Sequence, residues 1–355
     1  MFRAEFEDFK VDEVLGFTFS GEGEHLCLHV EKRGENTRWI AKLLAEYFGV
    51  DEMAIGYCGL KDRRAISRQW FSVHLPNTPD VTLPNVLDLD ALGSKDLNSK
   101  APEYQVLESC RHNKKLRRGM HKANSFVIRL RQVQGDRDVL EGRLQQILEQ
   151  GVPNYFGEQR FGIDGGNLSE ADSLLRTQYG VDRIRDSNKK RGSGKKGSRG
   201  KRGSPLGGIY LSAARSYLFN LVLAEHVKQG SWSDPIYGRA VEGDAVESDT
   251  VENIIATGPM WGRGRSNAPE TVCEFEKLVL SDWQDWTNAM EFSGLQQERR
   301  SLVLNPEGFS WKWLPSATDL VEDLELSFSL PSGCFATSVL RELIQLKSPA
   351  PELVA

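Results

Sequence analysis

Strand patterns and helical periods alternate along one long chain, and that mixture predicts an α+β protein with room for two domains. Three observations carry this reading. Runs of period two, His25–Glu31, Gln69–Leu75, Phe126–Arg131 and Leu324–Leu330, read as strands. Runs with apolar residues at helical spacing, around Trp39–Phe48, Val139–Leu148, Ala213–Val227 and Val339–Ile344, read as helices. The chain has 355 residues, of which 39% are hydrophobic, enough for a sizeable core and more than one domain.

Composition narrows the class. The N-terminus carries acids where a secretory signal would have its apolar core, and no run approaches the ~18 apolar residues of a spanning helix, so a cytoplasmic protein without a membrane partner is expected. Five cysteines, Cys27, Cys58, Cys110, Cys273 and Cys334, are scattered without a Cys-x-x-Cys pair, which argues against a disulfide frame or a structural zinc site. The net charge of -5 hides one concentrated cationic segment: Lys189 to Gly203 holds eight Lys or Arg and no acid, and without them the chain would stand at -13.

In chain order, the apolar side of the first long strand falls on Leu26, Leu28 and Val30. His25 and His29 on that strand would stand about 13 Å apart, too far to share a metal. Asn36 or Thr37 caps the helix through Trp39, which Gly49 ends. Next comes Gly56-Tyr57-Cys58-Gly59-Leu60-Lys61-Asp62-Arg63-Arg64, followed by the strand through Trp70. Its two glycines predict a tight turn with little bulk near a ligand, which places Asp62 on a loop held by a sheet. Lys61, Arg63, Arg64 and Arg68 surround it in sequence, and a positioned carboxylate among cations is a nucleophile or a base. Read without further context, the same string is a solvated charged turn.

Pro76 to Pro102 has no clear period and reads as irregular connection. The run Arg111–Lys122 is densely basic and leads into Asn124 and Phe126. Cations that hold phosphates, an aromatic face that stacks a base and an amide that reads a base edge are what a single-stranded RNA site needs. Asp136 caps the next helix and Gly151 closes it. The string Gly151-Val152-Pro153-Asn154-Tyr155-Phe156-Gly157-Glu158-Gln159-Arg160-Phe161-Gly162 suits an ordered, packed loop, and Ser212 reads as the cap of the following helix. Gly258–Arg265 is rich in glycine but lacks the Gly-Lys-Ser/Thr ending of a nucleotide loop. Near the C-terminus a strand, the turn Pro331–Phe335 and a helix make a plausible ligand edge.

Gly59-Leu60-Lys61-Asp62-Arg63, with Gln69-Trp70 seven and eight positions beyond Asp62, resembles the catalytic segment of the TruD family of tRNA pseudouridine synthases. Lys115-Leu116-Arg117-Arg118-Gly119 followed by Ala123-Asn124-Ser125-Phe126 resembles a second motif of that family, and the Gly151–Gly162 string is similar to the start of its inserted domain. The motifs keep the family's order from about Glu7 to Leu343. Two departures stand out: a short segment before Glu7, and the Lys189–Gly203 insert, whose composition cannot bury a core and predicts disorder without a ligand.

The resemblance implies a pseudouridine-synthase core, an antiparallel sheet with flanking helices, built from residues 1–150 and 305–355. It implies an inserted α/β TRUD domain over 151–304 containing the basic insert 189–203, and tRNA held in the cleft between the two. It implies conversion of uridine 13 of tRNA to pseudouridine by a monomer, without metal or organic cofactor. Asp62 would be the catalytic carboxylate, attacking the nucleotide or taking a proton from the sugar. Phe9, Asn124 and Phe335 match the substrate-contacting set. Phe126, with Phe335, is a candidate for packing the freed base, while Lys61 and Arg63 are supporting residues, Arg63 as the cation that holds Asp62 charged. A non-catalytic tRNA-binding protein or RNA chaperone on the same fold is the alternative.

Overall fold

The strand-patterned runs pair into one eight-stranded sheet. In the computed structural model, residues 1–76, 103–179, 205–234, 255–316 and 321–345 are described. The Lys189–Gly203 insert, and the irregular stretch after Pro76, lie outside these residues. The chain divides into two compact units. The first takes Met1–Leu148 with Pro306–Ala336 and the stretch from Leu343, and the second takes Glu149–Asn305 with Thr337–Glu342.

The sheet belongs to the first unit. Its strands are β1 (Phe9–Val14), β2 (His25–Arg33), β3 (Ile55–Tyr57), β4 (Ile66–His74), β5 (Glu103–His112), β6 (Ala123–Val133), and, from the far end of the chain, β11 (Glu307–Pro315) and β12 (Glu322–Pro331). They lie in the order β11-β12-β6-β1-β4-β2-β5, with β3 also on β4. The expected antiparallel sheet is mixed: β1 and β4 run parallel, with Val11 opposite Ser67. A parallel pair needs a long crossover, and here it contains β2, the helix α1 (Thr37–Phe48) and β3.

Helix α1 begins where Asn36 Oδ1 accepts the Trp39 N–H at 2.8 Å and ends at Gly49, in the left-handed conformation (φ 64°). Its inward stripe, Ile40, Ala41, Leu44 and Ala45, packs with Leu28, Val30, Phe71 and Val73 of β2 and β4. Each large aliphatic side chain buried there contributes about 1.5–3 kcal/mol. Across the sheet, β1, β6 and β12 turn Phe9, Phe126 and Phe328 to one face, where Phe126 lies 5.9 Å from Phe9 and 5.5 Å from Phe328. On β2, His29 stacks on Trp70 at 4.7 Å and His25 lies 4.8 Å from His74, so each ring finds an aromatic neighbour across the strand pair.

The second unit is built around α3 (Pro205–Lys228), which packs with α2 (Gly166–Leu174) and α4 (Gln284–Glu291) through Ala171, Leu218, Val222, Trp286 and Met290. Among the described residues its β-structure is two short antiparallel pairs, β7 (Val152–Pro153) with β10 (Val303–Leu304) and β8 (Thr257–Met260) with β9 (Glu298–Ser301). Ser212 is not a cap, because α3 begins seven residues earlier at Pro205, a residue suited to a first helical turn. The Ser212 hydroxyl accepts instead from Arg160.

Candidate active site

The site begins with a gap in the sheet. One edge of β4 is covered by β1 at Ile66–Arg68 and by β3 at Phe71–Val73, which leaves the Trp70 N–H between them without a strand partner. Glu13, near the end of β1, fills the gap: its Oε1 accepts that N–H at 3.2 Å. A carboxylate taken out of water needs a cation, and Lys61 supplies it, Nζ to Glu13 Oε2 at 2.8 Å, in a pair whose side chains are 5% and 0% exposed. Lys61 is therefore an anchor that fixes the residue just before Asp62.

The rest of the loop is fixed in the same way. The Lys61 N–H donates to Thr37 Oγ1 at 2.9 Å, Thr37 donates to Gln69 Oε1 at 2.8 Å, and the Gln69 amide returns to the Gly59 carbonyl at 3.2 Å. Neither Gly56 nor Gly59 has a positive φ. They serve close approach instead of a turn: a Cβ on Gly56 would stand 2.3 Å from the Leu116 carbonyl oxygen, and one on Gly59 would meet His121 at 3.2 Å. Through these contacts the Lys115–Gly119 segment docks on β3, with the Gly119 N–H on the Cys58 carbonyl at 2.8 Å. Leu116 is its buried anchor, while Lys114, Arg117, Arg118 and Lys122 stay exposed.

Lys61 Nζ also donates to Asn124 Oδ1 at 2.7 Å, and Asn124 Nδ2 lies 3.3 Å from His121 Nε2. Burial, and then the charge of Lys61, hold His121 below its ordinary pKa, which suits a neutral ring accepting from the amide. Cys58 is equally neutral: burial, helped by Glu13, pushes its thiol up to about 12. Asn124 is thus oriented on both sides before any substrate arrives.

Asp62 stands apart from this closed network. Its side chain is 39% exposed, and among the described residues its carboxylate meets one partner, Arg3, whose Nη2 donates to Oδ2 at 2.6 Å. The oxygen Oδ1 faces no donor of the described residues. Arg3 is seated by the N-terminal segment, where Phe2 bridges Leu130 and the Arg131 N–H reaches the Met1 carbonyl. Its guanidinium lies 4.0 Å over the Phe9 ring, so Asp62 and Phe9 are joined through one cation.

Arg63 does not hold Asp62: its Nε donates to the Gly34 carbonyl at 3.0 Å, its Nη2 lies 3.7 Å from Glu35, and its side chain is 71% exposed. Phe9 and Phe126 are 3% and 7% exposed and form part of the aromatic core. Phe335 is half-buried on the turn after β12, a turn stitched to the start of β6 by the Ser332 N–H on the Lys122 carbonyl. Arg3, Glu13, Thr37 and His121 surround the candidate site, a placement that the sequence reading does not give them. Only Glu13 carries a usable signal, an acid at an inward position of the first strand.

The family model described as tRNA pseudouridine synthase D (TruD) matches residues 1–174 and 200–343. The chain belongs to the TruD family. Among curated proteins it is 44% identical over 348 residues to tRNA pseudouridine synthase D of Cellvibrio japonicus, covering 98% of this chain and 90% of that one. It is 42% identical to the protein of the same name from Xanthomonas campestris, with 96% and 90% covered. A solved structure of a TruD protein from Methanosarcina mazei superposes with a TM-score of 0.63 at 21% identity, covering 96% and 92% of the two chains, a likeness of fold. In this TruD chain the two motifs nearest Asp62 meet through Lys61 and Asn124, whereas the Gly151–Gly162 string is occupied within the second unit. There the Asn154 side chain bridges Ser301 and Arg300, and Phe156 exchanges two hydrogen bonds with Asn220.

Proposed function

We propose that the protein isomerises uridine 13 of tRNA to pseudouridine with Asp62 as its catalytic carboxylate. The observation that carries this reading is the contrast at Asp62: a loop fixed at Lys61 through both its backbone and its side chain presents a half-exposed carboxylate whose Oδ1 faces no donor among the described residues. Membership of the TruD family and the names of its curated relatives supply the substrate class.

The target base must leave its stack to reach that oxygen. The N1 to C1′ bond breaks, uracil rotates, C5 joins C1′, the hydrogen on C5 leaves as a proton and N1 takes one up. Atoms balance, so no co-substrate is consumed. Asp62 serves either as the nucleophile or as the base that takes a proton from the sugar, and both roles use the same charge. Asn124, held by Lys61 and His121, offers its remaining amide hydrogen and lone pair to the base edge, and Phe335 packs against the base. Phe9 and Phe126 form the floor beneath. The exposed cations of Lys114–Lys122 meet phosphates. The working unit is a single chain in the cytoplasm.

Forming the C5 to C1′ bond expels the C5 hydrogen, so tRNA tritiated at uracil C5 should release label to water. The same tRNA with cytidine at position 13 should release none. Retained label with intact binding would point to a non-catalytic tRNA-binding protein, and equal release from both substrates would contradict the position.

A further inference from the structure

The last residue but one of strand β2 is a lysine that the strand's own alternation turns inward. Leu26, Leu28 and Val30 are buried on one face, and Lys32, next in that period, is 0% exposed. Its Nζ donates to the carbonyl oxygens of Glu35 and Asp62, the latter at 3.4 Å, and among the described residues it makes no ion pair. Lys61, the other buried lysine of the site, has Glu13 as its counter-ion. Holding an ammonium out of water without a counter-ion is costly even where carbonyls accept from it. Burial therefore pushes the Lys32 pKa down to about 8, against Asp62 and Glu35, which draw it up, and with Lys61, which lowers it further.

We propose that Lys32 is a positioning residue for Asp62, its buried ammonium tying the end of β2 and the turn at Glu35 to the backbone of the catalytic loop. The same two segments are stitched at the surface by the Arg63 Nε bond to the Gly34 carbonyl and by the Gly34 N–H on the Ala65 carbonyl at 3.4 Å. Lys32 holds them from beneath, at Asp62 itself. The groups that face it are Asp62 and Lys61 on the loop, Glu35 on the turn, and Ser67 and Tyr104 opposite it on β4 and β5. This inference rests on Asp62 being the catalytic carboxylate.

Lys32 separates activity from stability. Its folded pKa lies below the ordinary lysine value, so the unfolded chain binds that proton more tightly, and the group's contribution to stability rises with pH from about 8 to ~10.4. Turnover falls as pH rises through about 8, where the folded protein loses the proton and the neutral amine grips the two carbonyls less firmly.

The test measures tritium release at saturating tRNA, KM and thermal unfolding for the wild type, Lys32→Met and Lys32→Arg between about pH 7 and about pH 9.5. Lys32→Met should lower kcat about 100-fold, the cost of a misplaced catalytic group, with KM within about threefold and Tm lowered by no more than about 5 °C. The wild-type kcat should fall as pH rises through about 8. Lys32→Arg should keep part of the turnover and move the falling limb to higher pH. A kcat for Lys32→Met within about threefold of wild type overturns the proposal, as does a loss of turnover matched by a loss of Tm with the pH profile unchanged. Should Lys32→Met not fold, a wild-type profile flat to about pH 9.5 overturns it alone. If Asp62→Asn retains turnover, the reading of Asp62 has failed; if Asp62→Asn is inactive while Lys32→Met is unimpaired, only the role of Lys32 has.

Discussion

Two loops carry the family's clearest strings, and they use similar residues to opposite ends. From Gly151 to Gly162, each polar side chain named above finds its partners inside the second unit, and Arg300 covers the Phe156 ring at 4.1 Å. Around Asp62, Lys61 and Asn124 are held as firmly, yet the Asp62 carboxylate is left 39% exposed, and among the described residues its Oδ1 faces no donor. A distinctive motif is therefore not by itself a reactive one. What marks the site is a half-exposed carboxylate beside a buried Glu13–Lys61–Asn124 network.

Breaking the closed part of the Asp62 loop should have the largest effect. Lys61→Met leaves Glu13 buried without its cation, and removing one partner of a buried pair costs about 3–5 kcal/mol. Thermal or urea unfolding should show that loss, and turnover should fall with it. A variant as stable as the wild type would show that Glu13 and Lys61 are not a mutually dependent pair.

The matching change in the other loop should be smaller and purely structural. Asn154→Ala removes its hydrogen bonds with Arg300 Nη2 and the Ser301 carbonyl, for a loss of about 1–3 kcal/mol. Turnover at saturating tRNA should be kept below the melting temperature. A selective loss of turnover in a stable variant would erase the contrast between the two loops.

The smallest expected effect concerns the basic insert. Deleting Lys189–Gly203 removes eight cations. If about half of them meet phosphates, the slope of log affinity against log salt should flatten by about 3 to 4 units. Parallel salt plots for the two forms would show that the insert touches no RNA.

The strands and helices were legible because their apolar periods are local, and so was the placing of Asp62 on a loop between strands. Long-range pairing was not. Nothing in Met1-Phe2-Arg3 announces that Arg3 crosses to Asp62, since that contact depends on the segment being seated on β6. Arg63, adjacent in sequence, was the natural candidate, but the chain direction at the loop carries its side chain toward Glu35. Lys32 had a readable signal, a lysine in phase with Leu26, Leu28 and Val30, although an alternating strand tolerates one charge near its end. Phe126 looked like a base platform, and β6 instead sets it between Phe9 and Phe328. Ser212 imitates a cap because a serine stands directly before the run Ala213–Val227, while the helix itself starts at Pro205.

The central claim is that the open carboxylate of Asp62 does the chemistry while the groups around it hold it in place. Asp62→Asn keeps the side chain's size and removes its charge, so tritium release from uracil-labelled tRNA should vanish while tRNA affinity and Tm stay close to wild type. Release within about tenfold of the wild-type rate would contradict the account, because either route through Asp62 requires that charge.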